Sequence, residues 1–251
     1  VCLGCLAQRA GAEPRPAKMC AEGHYLARFF CWSQLSPNRT RLTHTGAMNN
    51  TPHTNCLTLR LLHAAKGYKA VAFDIFDTLL KRDCAHPADL FALMEVTHQA
   101  ALGFAEARVA AEAETRQTLG REVTLAEIYA HPALRGTDPA AECAAELAMI
   151  APNRPVAQAA AACHARGQKV YAVSDMYLPK EQIEAMLQKC GLDFLDGVFV
   201  SCEYRVQKRS GKLFKLFLQQ TALRPAEVLF VGDSPRADFA GAALAGIRCF
   251  L

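Results

Sequence analysis

Four short apolar runs in the chain end in polar groups. The first, KAVAFDIFDTLL over residues 69–80, sets four apolar positions after Lys69, delivers Asp74 at their end, and places Asp77 and Thr78 before Leu79 and Leu80. VYAVSD (170–175), GVFVS (197–201) and EVLFVGDS (227–234) repeat the arrangement. Runs of this length without polar alternation read as strands buried on both faces. Between them the apolar period lengthens. Residues 155–166 read as a helix stopped by Gly167, 180–189 as a helix stopped by Gly191, 213–221 as a third, and 237–244 as a fourth ended by Gly246. A last strand is expected over 247–251, after those at 170–174, 198–201 and 228–231. Strands alternating with helices of about ten residues imply right-handed crossovers. The expected fold class is α/β, a Rossmann-like three-layer parallel sheet of five or more strands, whose polar strand ends share one edge.

The long segment from Asp83 to Arg154 breaks this alternation. It is rich in Ala, Glu and Leu, and Leu90, Phe91, Leu93 and Met94 recur at helical spacing behind Pro87. Residues 104–119 continue the pattern, with Glu106, Arg108, Glu112, Glu114 and Arg116 expected on a solvated face. Thr124-Leu125-Ala126-Glu127 is a capping box, and Asp138-Pro139 an N-cap with proline at the first helical position. Three or four helices without a convincing strand predict a helical insertion. The resulting division is a core over 66–82 and 155–251, an inserted cap over 83–154, and a poorly structured segment over 1–65, within which 57–65 is expected to form one or two amphipathic turns. Met48 is a candidate natural start, which would make 1–47 an upstream segment. The chain stops on its last strand, where a natural C-terminal extension is expected.

Composition narrows the class. In 251 residues, an apolar share of 51% against 21% charged is that of a globular chain with a sizeable core. A formal charge of +4 without a Lys/Arg-rich run gives no footprint for a nucleic-acid partner. No stretch approaches eighteen consecutive apolar residues, and the N-terminus lacks the profile of a signal peptide, so no membrane partner is expected. Eleven cysteines are too scattered for a disulfide scaffold. Cys84, Cys143, Cys163, Cys190 and Cys249 sit in apolar segments as buried thiols do, which points to a reducing cytoplasm. Cys2, Cys5, Cys20 and His24 have a loose zinc-knuckle spacing, with unpaired thiols the plainer reading. His86, His98, His131 and His164 show no ligand spacing and are expected in surface or packing roles.

The chemistry gathers at the strand ends. An aspartate at the tip of a buried strand is poised as a carboxylate nucleophile. Asp233 and Asp238 flank a Gly-Asp-Ser-Pro turn that can bring both to one point. Three carboxylates beside a phosphate require a cation, and hard oxygen ligands suit Mg²⁺.

FDIFDTLL at 73–80, VSDMYLP at 173–179, KRSGKLF at 208–214 and VGDSPRAD at 231–238 together resemble the four ordered motifs of the haloacid dehalogenase-like (HAD) hydrolase superfamily. The resemblance covers residues 66–251, with the helical insertion where that family carries its type 1 cap. It implies that Asp74 attacks a phosphoryl group, that Ser174 binds the transferring oxygens, and that Lys208 stabilises their charge. Lys212 is the alternative lysine. Mg²⁺ would be held by Asp74, the backbone carbonyl of Phe76, Asp233 and Asp238, while Thr78, Arg82 and Asp175 are candidates for substrate contact. The FDxFDTLL and SDMYLP forms are most similar to uncharacterised family members, some associated with glycosyltransferases, which implies a small phosphorylated metabolite such as a sugar or nucleotide-sugar phosphate and a glycosyltransferase as candidate partner. One position departs from the phosphatase pattern. The residue two beyond the nucleophile is there an aspartate that acts as acid and base; here it is Phe76, and strand alternation sends Asp77 to the opposite side. A dehalogenase-type hydrolase, which has an aromatic residue there, and a catalytically weak binding module are the alternatives.

Overall fold

In the computed structural model, which describes residues 56–251, strand β1 (Ala70–Phe73) is the middle of five. Helix α1 (Cys56–Ala64) precedes it, and β2 (Leu80–Arg82) leads into an insertion of four helices: α2 (Asp89–Val96), α3 (Phe104–Leu119), α4 (Leu125–Tyr129) and α5 (Pro139–Met149). The chain returns through β3 (Ile150–Pro152) and α6 (Arg154–Ala165). It then alternates through β4 (Lys169–Ser174), α7 (Lys180–Lys189), β5 (Gly197–Val200), α8 (Ser201–Tyr204), α9 (Lys212–Thr221), β6 (Val228–Val231), α10 (Gly241–Leu244) and β7 (Arg248–Phe250).

The main sheet has the order β5-β4-β1-β6-β7, and every pairing in it is parallel. From β1 the chain moves outward to β4 and β5 on one side, then returns to add β6 and β7 on the other. The order therefore reverses at β1, and an open sheet of this kind has its crevice beyond the carboxyl ends of the strands at that point. Phe73 pairs with Ala172 on one side and Val231 on the other, so Asp74, Ser174 and the turn after Val231 leave the sheet side by side.

Alternation within the buried strands serves two cores. Val71, Phe73, Val170, Ala172, Leu229 and Val231 face one layer, with Leu61 of α1, Val156 and Ala159 of α6, and Ile183 and Met186 of α7. Ala70, Ala72, Val173, Val228 and Phe230 face the other, against Leu213, Phe214 and Phe217 of α9 and Ala242 of α10. This is the three-layer parallel architecture expected from the sequence. The described order begins earlier than expected, because α1 contributes Leu61 to the core and Thr58 donates a hydrogen bond to the Pro155 carbonyl at 2.9 Å. The expected turns over 57–65 are thus a helix of the core layer, not part of a poorly structured segment. The remainder of that segment, including Met48, Cys2, Cys5, Cys20 and His24, lies outside the described residues.

The insertion is joined to the core by a ribbon that the sequence did not reveal. β2 and β3 pair antiparallel, with Leu80 opposite Pro152 and Arg82 opposite Ile150. Three-residue strands are too short to show a period of two, so only their pairing defines them. Both expected caps form: Thr124 and Glu127 close the capping box of α4, and the Asp138 carboxylate accepts the Ala140 N–H. Arg108 corrects the expectation for α3. It is not on a solvated face but 0% exposed, bound at 2.7 and 2.9 Å to the equally buried Glu142. Its guanidinium lies 4.8 Å from the Phe91 ring centre and 4.7 Å from that of Tyr177, and the enclosure by rings is what excludes water. Among the cysteines expected to be buried, Cys163 is; Cys84, Cys143, Cys190 and Cys249 are half-buried, and none of the described cysteines is in a disulfide. No described helix is long and apolar enough to cross a membrane.

Candidate active site

The turn after β1 is held by the neighbouring strand. The Asp74 N–H donates to the Val231 carbonyl at 2.8 Å, and the Leu80 N–H to the Ile75 carbonyl at 2.8 Å. Between them Asp77 adopts a left-handed conformation, φ 60°, which aspartate tolerates better than most residues. The turn keeps Asp74 6% exposed and leaves Asp77 in solvent.

Opposite, the segment after β6 folds back on itself. The Asp238 Oδ2 accepts N–H groups from Asp233 and Ser234 at 3.1 and 3.0 Å, and Ser234 caps the following turn by accepting the Ala237 N–H. That turn, Pro235–Ala240, is a π-helix continuous with α10, where the sequence predicted only an α-helix beginning at residue 237. Gly232 makes the fold-back sterically allowed, since a Cβ there would lie 2.4 Å from Asp238 Oδ2. Gly241 does the same for the next contact, since a Cβ would meet the Lys208 carbonyl oxygen at 2.2 Å. These two glycines let the π-helix close directly on the lysine segment.

Lys208 links the two halves. It is 3% exposed, its Nζ stands 2.5 Å from Asp74 Oδ1 and 2.6 Å from Asp238 Oδ1, and its backbone N–H donates to Asp175 at 2.8 Å. Burial works against the ammonium, but the charges of Asp74 and Asp238 outweigh it and hold its pKa above the ordinary lysine value. Asp74 is affected in the other sense: burial pushes its carboxyl up to about 7, Lys208 opposes, and Asp238 adds to the rise. Asp175 is raised to about 6, again by burial against the pull of Lys208. Lys212, the alternative lysine, is exposed at the start of α9.

Asp74, Asp233 and Asp238 bring carboxylate oxygens within 4.8 Å of one another. One ammonium among three carboxylates leaves an excess of negative charge in a largely buried site. Asp238 Oδ1, which is enclosed, meets the Lys208 ammonium and no other partner among the described residues. Clustered hard oxygens in this electrostatic setting fit a divalent cation such as Mg²⁺.

Asp74, Lys208, Asp233 and Asp238 are thus brought together, and Ser174 sits 2% exposed at the end of β4, two residues past the partner of Phe73. The three substrate-contact candidates have partners within the protein instead. Thr78 donates to Asp233 Oδ1 at 3.2 Å, and Asp175 anchors the Lys208 backbone. Arg82 lies 4.0 Å over the Phe76 ring and binds Glu146 through two hydrogen bonds of 2.9 and 3.1 Å. Sequence reasoning missed Glu146 and Asn153, whose side chain donates to the Thr78 carbonyl at 2.7 Å. Glu146 lies in the last helix of the insertion and Asn153 just after β3, each more than sixty residues from its partner, and no local pattern marks them. It also missed the contacts that tie the α3–α4 loop and the start of α4 to the segments flanking the site. The Leu125 N–H donates to Tyr177 at 2.8 Å, Gln207 donates to Glu122 at 2.7 Å, and Arg205 pairs with Glu127.

The family model described as haloacid dehalogenase-like hydrolase matches residues 68–246. Among solved structures, the fold is similar to L-2-haloacid dehalogenase from Xanthobacter autotrophicus, with TM-score 0.51 and 23% identity over 72% of this chain and 76% of that one. It is likewise similar to a HAD phosphatase from Thermococcus onnurineus, with TM-score 0.52 and 21% identity over 72% and 84%. A third is a putative HAD-hydrolase from Bacillus subtilis bound to magnesium, with TM-score 0.51 and 18% identity over 72% and 87%. At these identities the likeness establishes the fold. No curated protein matches the chain.

Proposed function

Because the chain belongs to the haloacid dehalogenase-like hydrolases, we propose that it is a Mg²⁺-dependent phosphohydrolase acting on a small phosphorylated metabolite, a sugar or nucleotide-sugar phosphate among the candidates. The observation that carries this reading is the convergence of Asp74, Asp233 and Asp238 on Lys208, an acidic cluster with a single built-in counter-charge.

In this reading the Asp74 carboxylate attacks phosphorus and becomes an aspartyl-phosphate, which water then hydrolyses. Lys208 offers its ammonium to the oxygens that gain charge, and its anchorage by Asp175 and Asp238 keeps it there without reorganisation. Ser174, at the neighbouring strand end, is the candidate hydroxyl donor to the same oxygens. Mg²⁺, when bound, supplies charge neutralisation and orientation of the phosphoryl group. Asp74, Asp233, Asp238 and the Phe76 carbonyl would hold it, with Thr78 fixing the Asp233 carboxylate.

Phe76 favours a second reading, carbon–halogen hydrolysis, which needs no metal; the acidic cluster argues for phosphoryl transfer. One experiment separates them. Phosphate release from a metabolite panel, with and without Mg²⁺, is expected from the wild type and lost in Asp74→Asn. Metal-independent halide release from 2-haloacids would establish the second reading, and phosphate-dependent stabilisation without turnover a binding module.

A further inference from the structure

A departing oxygen must carry the electron pair of the broken P–O bond, so the proton donors around the nucleophile decide which leaving groups react. Among the described residues, the acidic and basic groups around Asp74 are engaged within the protein. Lys208 is clasped by Asp74 and Asp238 and stays an ammonium. The Thr78 hydroxyl is directed at Asp233, and the Asp175 carboxyl, though burial raises it to about 6, is turned to the Lys208 backbone, whose N–H its Oδ1 accepts. Arg82 is a guanidinium, which does not release its proton, and it is bound to Glu146. Two residues past the nucleophile stands Phe76, its ring pinned beneath Arg82 at 4.0 Å. Asp77 is exposed in a left-handed turn, outside the acidic trio, and its charge acts on Arg82 at the end of β2 and on Cys84 just beyond it. The described histidines serve elsewhere: His131 meets Glu114, His164 packs on Phe194, His63 and His98 line concavities whose walls do not include Asp74, and the backbone of His86 caps onto Asp89.

Resting on the phosphohydrolase reading, we propose that the substrates are acyl phosphates or phosphoric anhydrides, whose leaving groups depart as stable anions, and not alkyl phosphate monoesters. A carboxylic acid has a pKa of about 4 and a phosphate a second pKa of about 6, so either leaves without a proton. An alkoxide, whose conjugate acid has a pKa close to that of water at about 16, does not. In the first step the bond from the Asp74 oxygen to phosphorus forms, the bond to the leaving oxygen breaks, and the pair departs on a carboxylate or phosphate. In the second, a water oxygen bonds to phosphorus, Asp74 is released as the carboxylate, and the water's protons end on the phosphate product and bulk solvent. Asp74 is itself a carboxylate leaving group, so this half also needs no acid, but the water lacks a committed base. The phosphoenzyme is therefore the species that accumulates.

The test is a leaving-group series of acetyl phosphate, p-nitrophenyl phosphate, phenyl phosphate and ethyl phosphate, assayed with Mg²⁺ on wild type, Asp77→Asn and Asp74→Asn. The expected result is a fall in kcat/KM of about 10²-fold or more from acetyl to ethyl phosphate, the size of a general-acid contribution, unchanged in Asp77→Asn. A burst of product with a hydroxylamine-sensitive phosphoenzyme accompanies it. A smaller fall overturns the proposal, and a ratio that grows in Asp77→Asn identifies Asp77 as the donor and overturns it too. Failure of the underlying reading looks different: no member of the series is hydrolysed, or Asp74→Asn hydrolyses it as fast as wild type, and both conclusions go.

Discussion

Lys208 is the residue on which the site's electrostatics turn. It is the counter-charge to Asp74 and Asp238, and removing one partner of a buried ionic group leaves the others uncompensated, typically at about 3–5 kcal/mol. Lys208→Met is therefore expected to melt several degrees below wild type in chelator, and Mg²⁺ is expected to recover more stability in the variant than in wild type. Differential scanning with and without Mg²⁺ checks this; an unchanged melting temperature in chelator would show that the lysine is not needed for balance. Asp175 gives a pH signature. Its folded pKa, raised to about 6 by burial, lies above the ordinary carboxylate value, so the folded state holds the proton more tightly. The associated stability is fully present below about pH 4 and is lost as the pH rises through about 6. In denaturant titrations from pH 4 to 7, Asp175→Asn is expected to lose less stability across this window than wild type. A variant with the same pH slope would place the burial penalty elsewhere.

At the scale of elements, α3 and α5 are joined through Arg108 and Glu142, both fully buried. The pair is extended by Glu112 at 3.1 Å from Arg108 and by the Tyr129 hydroxyl, which donates to Glu142 at 2.8 Å. Arg108→Ala removes one partner and leaves the Glu142 charge enclosed, so a loss of about 3–5 kcal/mol is expected in denaturant melts. Replacing both, as Arg108→Met with Glu142→Leu, is expected to recover most of it, because the desolvation cost of the ions disappears with them. If the double variant is as unstable as the single one, the pair is not merely holding two helices together. Periodicity placed Arg108 with the charged face of α3; its partner Glu142 lies 34 positions further along the chain, and a local period cannot report a contact at that separation.

For the whole molecule, the contacts by which the inserted helices meet the core beside the site include Leu125 to Tyr177, Glu122 to Gln207 and Glu127 to Arg205. Tyr177 lies three residues after Ser174, and Gln207 immediately precedes Lys208, so the position of the α3–α4 loop is coupled to the two segments that carry candidate catalytic groups. Glu122 is 2% exposed and also takes a charge-assisted bond from Arg116. Glu122→Gln is expected to raise KM more than it lowers kcat and to speed amide exchange in the α3–α4 loop, with exchange in β1 and β6 unchanged. Protection lost equally in the central strands would mean that Glu122 supports the fold as a whole and not the local closure.

The sequence by itself determined the alternation of strands and helices, the insertion, and the identity of Asp74, Lys208, Asp233 and Asp238 as the charged groups at strand ends and turns. These features are legible because they rest on local physics: buried parallel strands need unbroken apolar runs, helix ends need caps and glycines, and the four motifs lie in short stretches. The docking of the helix at 56–64 on the core, the β2–β3 ribbon and the buried Arg108 were not legible, since each is defined by a partner far along the chain. The same holds for Thr78, Arg82 and Asp175. Sequence marks them as polar groups beside the motifs, and only the tertiary structure decides that Thr78 holds Asp233, Asp175 holds Lys208, and Arg82 is neutralised by Glu146 over the ring of Phe76. A charged side chain near a reacting centre serves substrate or protein according to which countercharge the fold brings within about 3 Å of it, and that distance is set by packing across the whole molecule.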